Sequence, residues 1–321
     1  MLYELASPLL HLMAHSRRLI DAAQGKRRSI AAVERPQAQF RSAKARLRRL
    51  DVHLATAVMP MAGAWLALHR FERTTGPTPN AVPLASAGAL VPMGKGTLAL
   101  HFAGPLEGPR VLVVHGWSAS SAMVLPLVQA LSEAGFRVVY PDLPGEGRSV
   151  SAPMSFHEKG RMIALHCAQH GPFDSVIGHS AGGLIAAIAL EAGLNANKLV
   201  TVCAPKSLTS LLQAYLVQTD APRRLHDGIS KIYSLVYRQS PCHMGPQTFA
   251  RLQANLLVVH AKHDWQVLVD EAHAILSSNP AAGALFLDNC NHRSILHHAG
   301  LLQGIVAFLG KPSDPGQEQP C

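Results

Sequence analysis

From residue 97 onward, short runs that are apolar almost throughout alternate with longer stretches whose apolar positions recur at a helical period. The short runs are Thr97–Phe102, Arg110–His115, Arg137–Pro141, Phe173–Gly178, Lys198–Cys203, Asn255–His260 and Ala284–Leu287. Helical stretches fall between them, near 119–134, 155–169, 181–192, 269–278 and 294–309. Strands apolar on both faces and separated by helices belong to a sheet covered on both sides. The predicted class is therefore α/β, with a doubly wound, mostly parallel sheet. Between Pro205 and Gln253 the alternation stops, and Ser207–Tyr237 in particular reads as helical. This stretch, about 205–253, is expected to be a short helical cap inserted over the strand ends.

Before the alternating region the pattern differs. Residues 1–75 read as a helical N-terminal extension, with Leu2, Leu5, Leu9, Leu12 and Met13 near a 3.6-residue period. Thr74–Pro92 is rich in Pro, Gly, Thr, Ser and Ala, and residues 76–96 are expected to be a linker. The α/β domain then runs over 97–310, and 311–321 reads as a flexible tail.

Composition allows a full core, with 48% hydrophobic and 15% charged residues, and does not point to general disorder. Charge is uneven. Residues 1–50 hold eleven Lys and Arg against three acids, so they supply +8 of the chain's net +9. The extension is thus a strongly basic leader on a nearly neutral body. It lacks interleaved aromatics and any nucleic-acid motif, so no nucleic acid is expected as a partner. Peripheral contact with an anionic membrane through residues 1–50 is the functional expectation; a leader packed on the core is the plainer one. The longest apolar segment, Leu54–Leu68, is about 15 residues and contains Pro60 and Gly63, short of the roughly 20 that a spanning helix needs. Five cysteines without paired spacing read as reduced thiols. The expected location is cytoplasmic, with or without peripheral membrane association. The oligomeric state is open.

The chemistry centres on Gly178-His179-Ser180-Ala181-Gly182, a G-x-S-x-G between a β-branched run and a small, apolar helical run. A strand–turn–helix context of this kind exposes the serine above the sheet end, in a turn so tight that its flanking residues must be small. A serine needs a base to become a nucleophile, and the base needs an orienter. Asp264 follows one downstream strand and His292 follows the last, each on a loop at the same sheet edge. Upstream, a strand ends in His115-Gly116-Trp117. The backbone N–H groups of Trp117 and Ala181 are thereby placed to bind an oxyanion. His115 and His179 read as structural partners around the pocket, together with Gly116, Gly178 and Gly182. Glu146 and Arg148 either touch substrate or sit on a solvated turn.

Five motifs in order resemble the α/β-hydrolase fold family, over about residues 97 to 309. They are H-G-W (His115 to Trp117), D-x-P-G-x-G-x-S (Asp142 to Ser149), G-H-S-A-G (Gly178 to Gly182), V-V-x-x-x-x-D (Val258 to Asp264) and N-H-R (Asn291 to Arg293). The resemblance implies Ser180 as nucleophile, His292 as base, Asp264 as its orienter, and Trp117 and Ala181 as oxyanion amides. Asp270 and Asp288 are less well placed alternatives for the acid. Ala261 stands where the family usually has Gly, and Asn289 and Asn291 stand where Gly is common around the histidine; Asn tolerates left-handed backbone.

The function expected is ester hydrolysis, of the carboxylesterase or lipase kind, through an acyl-enzyme. Thioesterase, peptidase or acyltransferase chemistry on the same residues, and a non-catalytic binding protein of this fold, are the alternatives. No cofactor and no metal are expected. His166 and His170 have i, i+4 spacing but lack the glutamate of H-E-x-x-H. Gly94-Lys95-Gly96 precedes a strand rather than a helix, so it reads as a turn and not a phosphate loop.

Overall fold

A computed structural model describes residues 43–74 and 88–310. The basic stretch before residue 43, the region 75–87 and the tail 311–321 lie outside the described residues. Within the predicted extension the chain forms α1 (Ala43–Val58) and α2 (Pro60–Glu72). Pro60 separates them: it disfavours helical backbone at Met59 but suits the first turn of the next helix.

The expected linker does not run to residue 96. Ala89–Met93 (β1) and Gly96–Leu100 (β2) pair antiparallel as a hairpin. Gly94 occupies its turn at φ 57°, so the Gly-Lys-Gly sequence is a hairpin turn, as expected. The run read as one strand, Thr97–Phe102, is split. Its first part belongs to this hairpin, and only Phe102–Ala103 (β3) joins the main sheet. Period-2 patterning cannot show which sheet a short run will join.

The main sheet has seven strands. After β3 come Arg110–Val114 (β4), Arg137–Val139 (β5), Phe173–His179 (β6), Ala196–Val202 (β7), Asn255–Ala261 (β8) and Gly283–Leu287 (β9), in spatial order β3-β5-β4-β6-β7-β8-β9. Only β3 is antiparallel. Connecting helices are α3 (Leu125–Glu133), α4 (Phe156–Cys167), α5 (Ala181–Glu191), α9 (Val269–Ser278) and α10 (Ala299–Leu309). Between β7 and β8 the chain forms three helices, α6 (Leu208–Gln218), α7 (Leu225–Tyr237) and the short α8 (Pro246–Ala250), in the stretch predicted to be a helical insertion. The central strands are buried on both faces, as the Val and Leu runs of β4 and β8 require.

The chain divides into two compact units. Among the described residues, one comprises 43–69 together with Leu212–Val236. Inside it, His53 Nε2 lies 3.0 Å from the Asp220 carbonyl, and Gln213 donates to the His226 carbonyl at 2.8 Å. The other comprises the described residues of 70–211 and 237–310, and it holds the whole sheet. Phe71, Glu72 and Arg73, read from sequence as part of the extension, therefore belong to the sheet-bearing unit. No helix among the described residues is long and apolar enough to cross a membrane.

Strand order places the functional edge. From β4 the chain steps to β5 on one side and then to β6 on the other, so the order reverses at β4. A crevice outside the C-terminal ends of β4 and β6 is the expected ligand position in such a sheet. Val114 pairs with Gly178 in register, so His115-Gly116-Trp117 and His179-Ser180-Ala181 leave the sheet side by side.

Candidate active site

Ser180 sits between β6 and α5 with φ 55° and ψ −131°, a conformation costly for a residue with a Cβ. Close approach on both sides enforces it. A methyl group on Gly178 would overlap the Gly182 backbone, and one on Gly182 would overlap the carbonyls of Val114 and His115. Helix α5 can thus lie directly against β4 and β6. The Ser180 N–H donates to the Val202 carbonyl at 2.8 Å, and its side chain does not cap the helix. The hydroxyl is engaged by His292 instead.

His292 reaches this hydroxyl from the loop after β9. Its Nε2 is 2.9 Å from Ser180 Oγ, and its Nδ1 is 2.6 Å from Asp264 Oδ2. The loop carries the histidine on asparagine geometry. Asn289 takes φ 57°, whereas the Asn291 side chain accepts the N–H groups of Ser294 at 3.0 Å and Arg293 at 3.1 Å. One asparagine supplies the left-handed residue and the other a side-chain cap.

Asp264 is buried beyond β8, where the end of that strand, Ala261, is accommodated without glycine. Its Oδ1 accepts the N–H groups of Gln266 at 2.8 Å and Val267 at 3.0 Å. Burial works against its charge, but the hydrogen bond and charge of His292 and these two amides outweigh it, so its pKa lies below the usual carboxylate range. The two alternative acids are elsewhere: Asp288 is exposed and paired with Lys262 at 2.7 Å, and the Asp270 side chain is 87% exposed.

The upstream strand end completes the surroundings. Gly116 is packed against the serine, since a Cβ on it would lie 3.0 Å from Ser180 Cβ. Ala181 is the first residue of α5, where a backbone N–H has no partner within the helix. Trp117 turns its indole away to the end of α2. Both His115 ring nitrogens are engaged by backbone: the Leu143 N–H donates to Nε2 at 2.9 Å, which leaves Nδ1 to donate to the Gly116 carbonyl at 2.8 Å. His179 is also a support, with Nε2 donating to the His292 carbonyl at 2.8 Å.

Two polar knots behind the site were not legible in the sequence. Asp142 is fully buried and accepts from Ser121 N at 2.7 Å, Arg148 N at 2.9 Å and His101 Nε2 at 3.2 Å. Burial opposes its charge, but these bonds prevail and hold its pKa down to about 2. Ser149, closing the same motif, donates to the Asp142 carbonyl at 2.7 Å. Glu146, read as a substrate contact or a solvated turn residue, is neither. It is buried, bonded to Lys159 Nζ at 2.9 Å, and accepts the Ala119 N–H at 3.2 Å. The D-x-P-G-x-G-x-S turn therefore braces the loop after β4 from below.

Cys203, His260 and Asp264 hold atoms within 4.8 Å of one another, the kind of donor set a metal could use. Both Asp264 oxygens already accept hydrogen bonds, and burial pushes the Cys203 thiol well above its ordinary pKa. A protonated thiol and an occupied carboxylate make a packed wall. His166 and His170 join no such group among the described residues.

Comparison with known proteins agrees with this architecture. Residues 111–302 match the model of the α/β-hydrolase family. The chain belongs to that family. A pimeloyl-[acyl-carrier protein] methyl ester esterase of Vibrio cholerae is 37% identical over 108 residues, which are 33% of this chain and 41% of the esterase. A magnesium-chelatase 30 kDa subunit of Rhodobacter capsulatus is 42% identical over 87 residues, 26% of this chain and 30% of that protein. The alignments thus span about two fifths or less of these relatives. Among solved structures, a hydrolase from Pseudomonas aeruginosa superposes with a TM-score of 0.55 at 19% identity, covering 70% of this chain and 99% of that one. At such identity the likeness is one of fold.

Proposed function

We propose that this α/β hydrolase is a serine esterase. The observation that carries the reading is His292, which spans Ser180 Oγ at 2.9 Å and Asp264 Oδ2 at 2.6 Å. In the proposed cycle, His292 Nε2 takes the Ser180 proton as Oγ attacks an ester carbonyl carbon. The Trp117 and Ala181 N–H groups receive the negative oxygen, and the C–O bond to the alcohol breaks as His292 returns the proton to it. Water then attacks the acyl-serine, again losing a proton to His292, and the free acid leaves from a regenerated serine. Asp264 keeps Nδ1 protonated, so that Nε2 is the basic nitrogen.

The methyl ester esterase relatives favour a substrate with a small alkoxy leaving group on a longer acyl chain. Three buried free thiols, Cys167, Cys203 and Cys290, fit work in a reducing compartment such as the cytoplasm. A fluorophosphonate probe tests the mechanism: it should label the wild-type protein and not Ser180→Ala. Labelling that survives the substitution would remove the serine from its assigned role. Methyl and p-nitrophenyl esters of graded chain length, run beside acyl thioesters, then rank the substrate class, and a preference for thioesters would overturn the ester assignment.

A further inference from the structure

Helices α1 and α2 meet in a sharp corner at Met59. A methyl group on Gly63 would overlap the Thr56 side chain and stand 2.9 Å from Thr56 Cα, so the helices touch backbone to backbone just past the turn. One face of the pair is buried, through Val52, Thr56, Ala64, Ala67 and Leu68. The tip is apolar as well and faces solvent. Val58 is 88% exposed, Met59 56% and Met61 42%. One helical turn back on either arm, Leu54 and Trp65 are each about half exposed. Residues four apart on a helix are neighbours, so Leu54 adjoins Val58 and Trp65 adjoins Met61.

The charge pattern says what this tip meets. Val52 to His69 contain no Asp, Glu, Lys or Arg, whereas residues 1–50 hold eleven Lys and Arg. An uncharged, exposed tip carrying a tryptophan, in a chain whose first 50 residues are strongly cationic, matches the interface of an anionic bilayer: apolar side chains enter the acyl boundary and basic ones meet the headgroups. A second copy fits poorly, because each copy carries a leader of net +8 and two such charges repel.

We propose that the α1–α2 corner is a membrane-docking wedge that seats the protein on anionic lipid through Leu54, Val58, Met59, Met61 and Trp65. The test uses the full chain with phosphatidylcholine vesicles, with and without phosphatidylglycerol. The wild type should float with the anionic vesicles alone. Its tryptophan emission should shift to the blue and be quenched by brominated acyl chains, and both effects should vanish in Trp65→Phe. Val58→Glu with Met61→Glu, both solvent-facing, should leave the melting temperature and the monomer–oligomer profile unchanged and lower partitioning at least about tenfold. Equal flotation of this double variant would overturn the wedge and leave the basic leader as the binding element. Failure of the wild type to float, or a smaller assembly for the double variant in solution, would overturn lipid as the occupant.

Discussion

The Trp117 indole donates to the Phe71 carbonyl at 2.8 Å, and the two rings stack with centroids 4.9 Å apart. The loop that offers a backbone N–H to the proposed oxyanion is thus fastened to the last turn of α2. Phe71 stacks in turn on Phe156 at the start of α4. Trp117→Phe keeps the stack and loses the hydrogen bond. It should cost about 0.5–1.5 kcal/mol of stability and lower kcat more than KM, because a loosened loop misplaces a donor used in the transition state. Thermal melts and ester kinetics check both. An unchanged kcat would separate the loop from catalysis.

Asp264 holds His292 by one short bond while its other oxygen is fixed by two backbone amides. Asp264→Asn preserves the shape but can present an N–H to Nδ1, which stabilises the tautomer with its proton on Nε2. The expected loss in kcat is about 10⁴-fold, with little change in KM. Asp288→Asn, on the exposed residue paired with Lys262, should stay close to wild type. The reverse ranking would reassign the acid.

The buried pair Glu146–Lys159 yields a stability prediction with an internal control. Removing one partner leaves the other charge buried and uncompensated, so Lys159→Met should destabilise by about 3–5 kcal/mol. Adding Glu146→Gln should restore part of that, since a neutral amide no longer needs the cation. Denaturant midpoints of the two single variants and the double variant give the coupling. Additive losses would show that the pair is not a unit.

The reach of the sequence follows from the range of each interaction. Ser180, Asp264 and His292 were legible because each follows a strand whose apolar run marks its end, and parallel strands bring their C-terminal ends to one edge. Asn289 could be anticipated as a left-handed residue, since few side chains tolerate that backbone. Asn291 could not be distinguished from it, because capping depends on where the next two amides fall. Glu146 and Lys159 were beyond reading. Thirteen positions apart on a turn and a helix, they look like ordinary surface charges until tertiary packing buries them together. The split of Thr97–Phe102 between two sheets likewise depends on a hairpin partner that linker-like composition concealed.

His179, directly before the serine, should set the acid sensitivity of the fold. Its Nε2 donates to the His292 carbonyl, and its Nδ1 has no hydrogen-bond partner. Burial above all, and the nearby His292 charge, press its pKa down to about 3. A histidine neutral in the native state but titrating near 6.5 when unfolded contributes stability that is complete above about pH 6.5 and is lost as pH falls toward 3. One such group gives a slope of about 1.4 kcal/mol per pH unit within that window. The lowered carboxylates Asp142 and Asp264 act only below about pH 4. Between pH 6.5 and 4 the lowered histidines set the loss of stability, and Glu72, whose carboxyl burial raises above its ordinary range, opposes it. His260 and His170, also lowered chiefly by burial, add to the wild-type slope there. His179→Gln can retain an N–H donor and does not titrate, so it should flatten the slope without removing it. Urea midpoints at pH 7, 6 and 5 decide the matter, and parallel curves for variant and wild type would show that His179 is protonated in the native state.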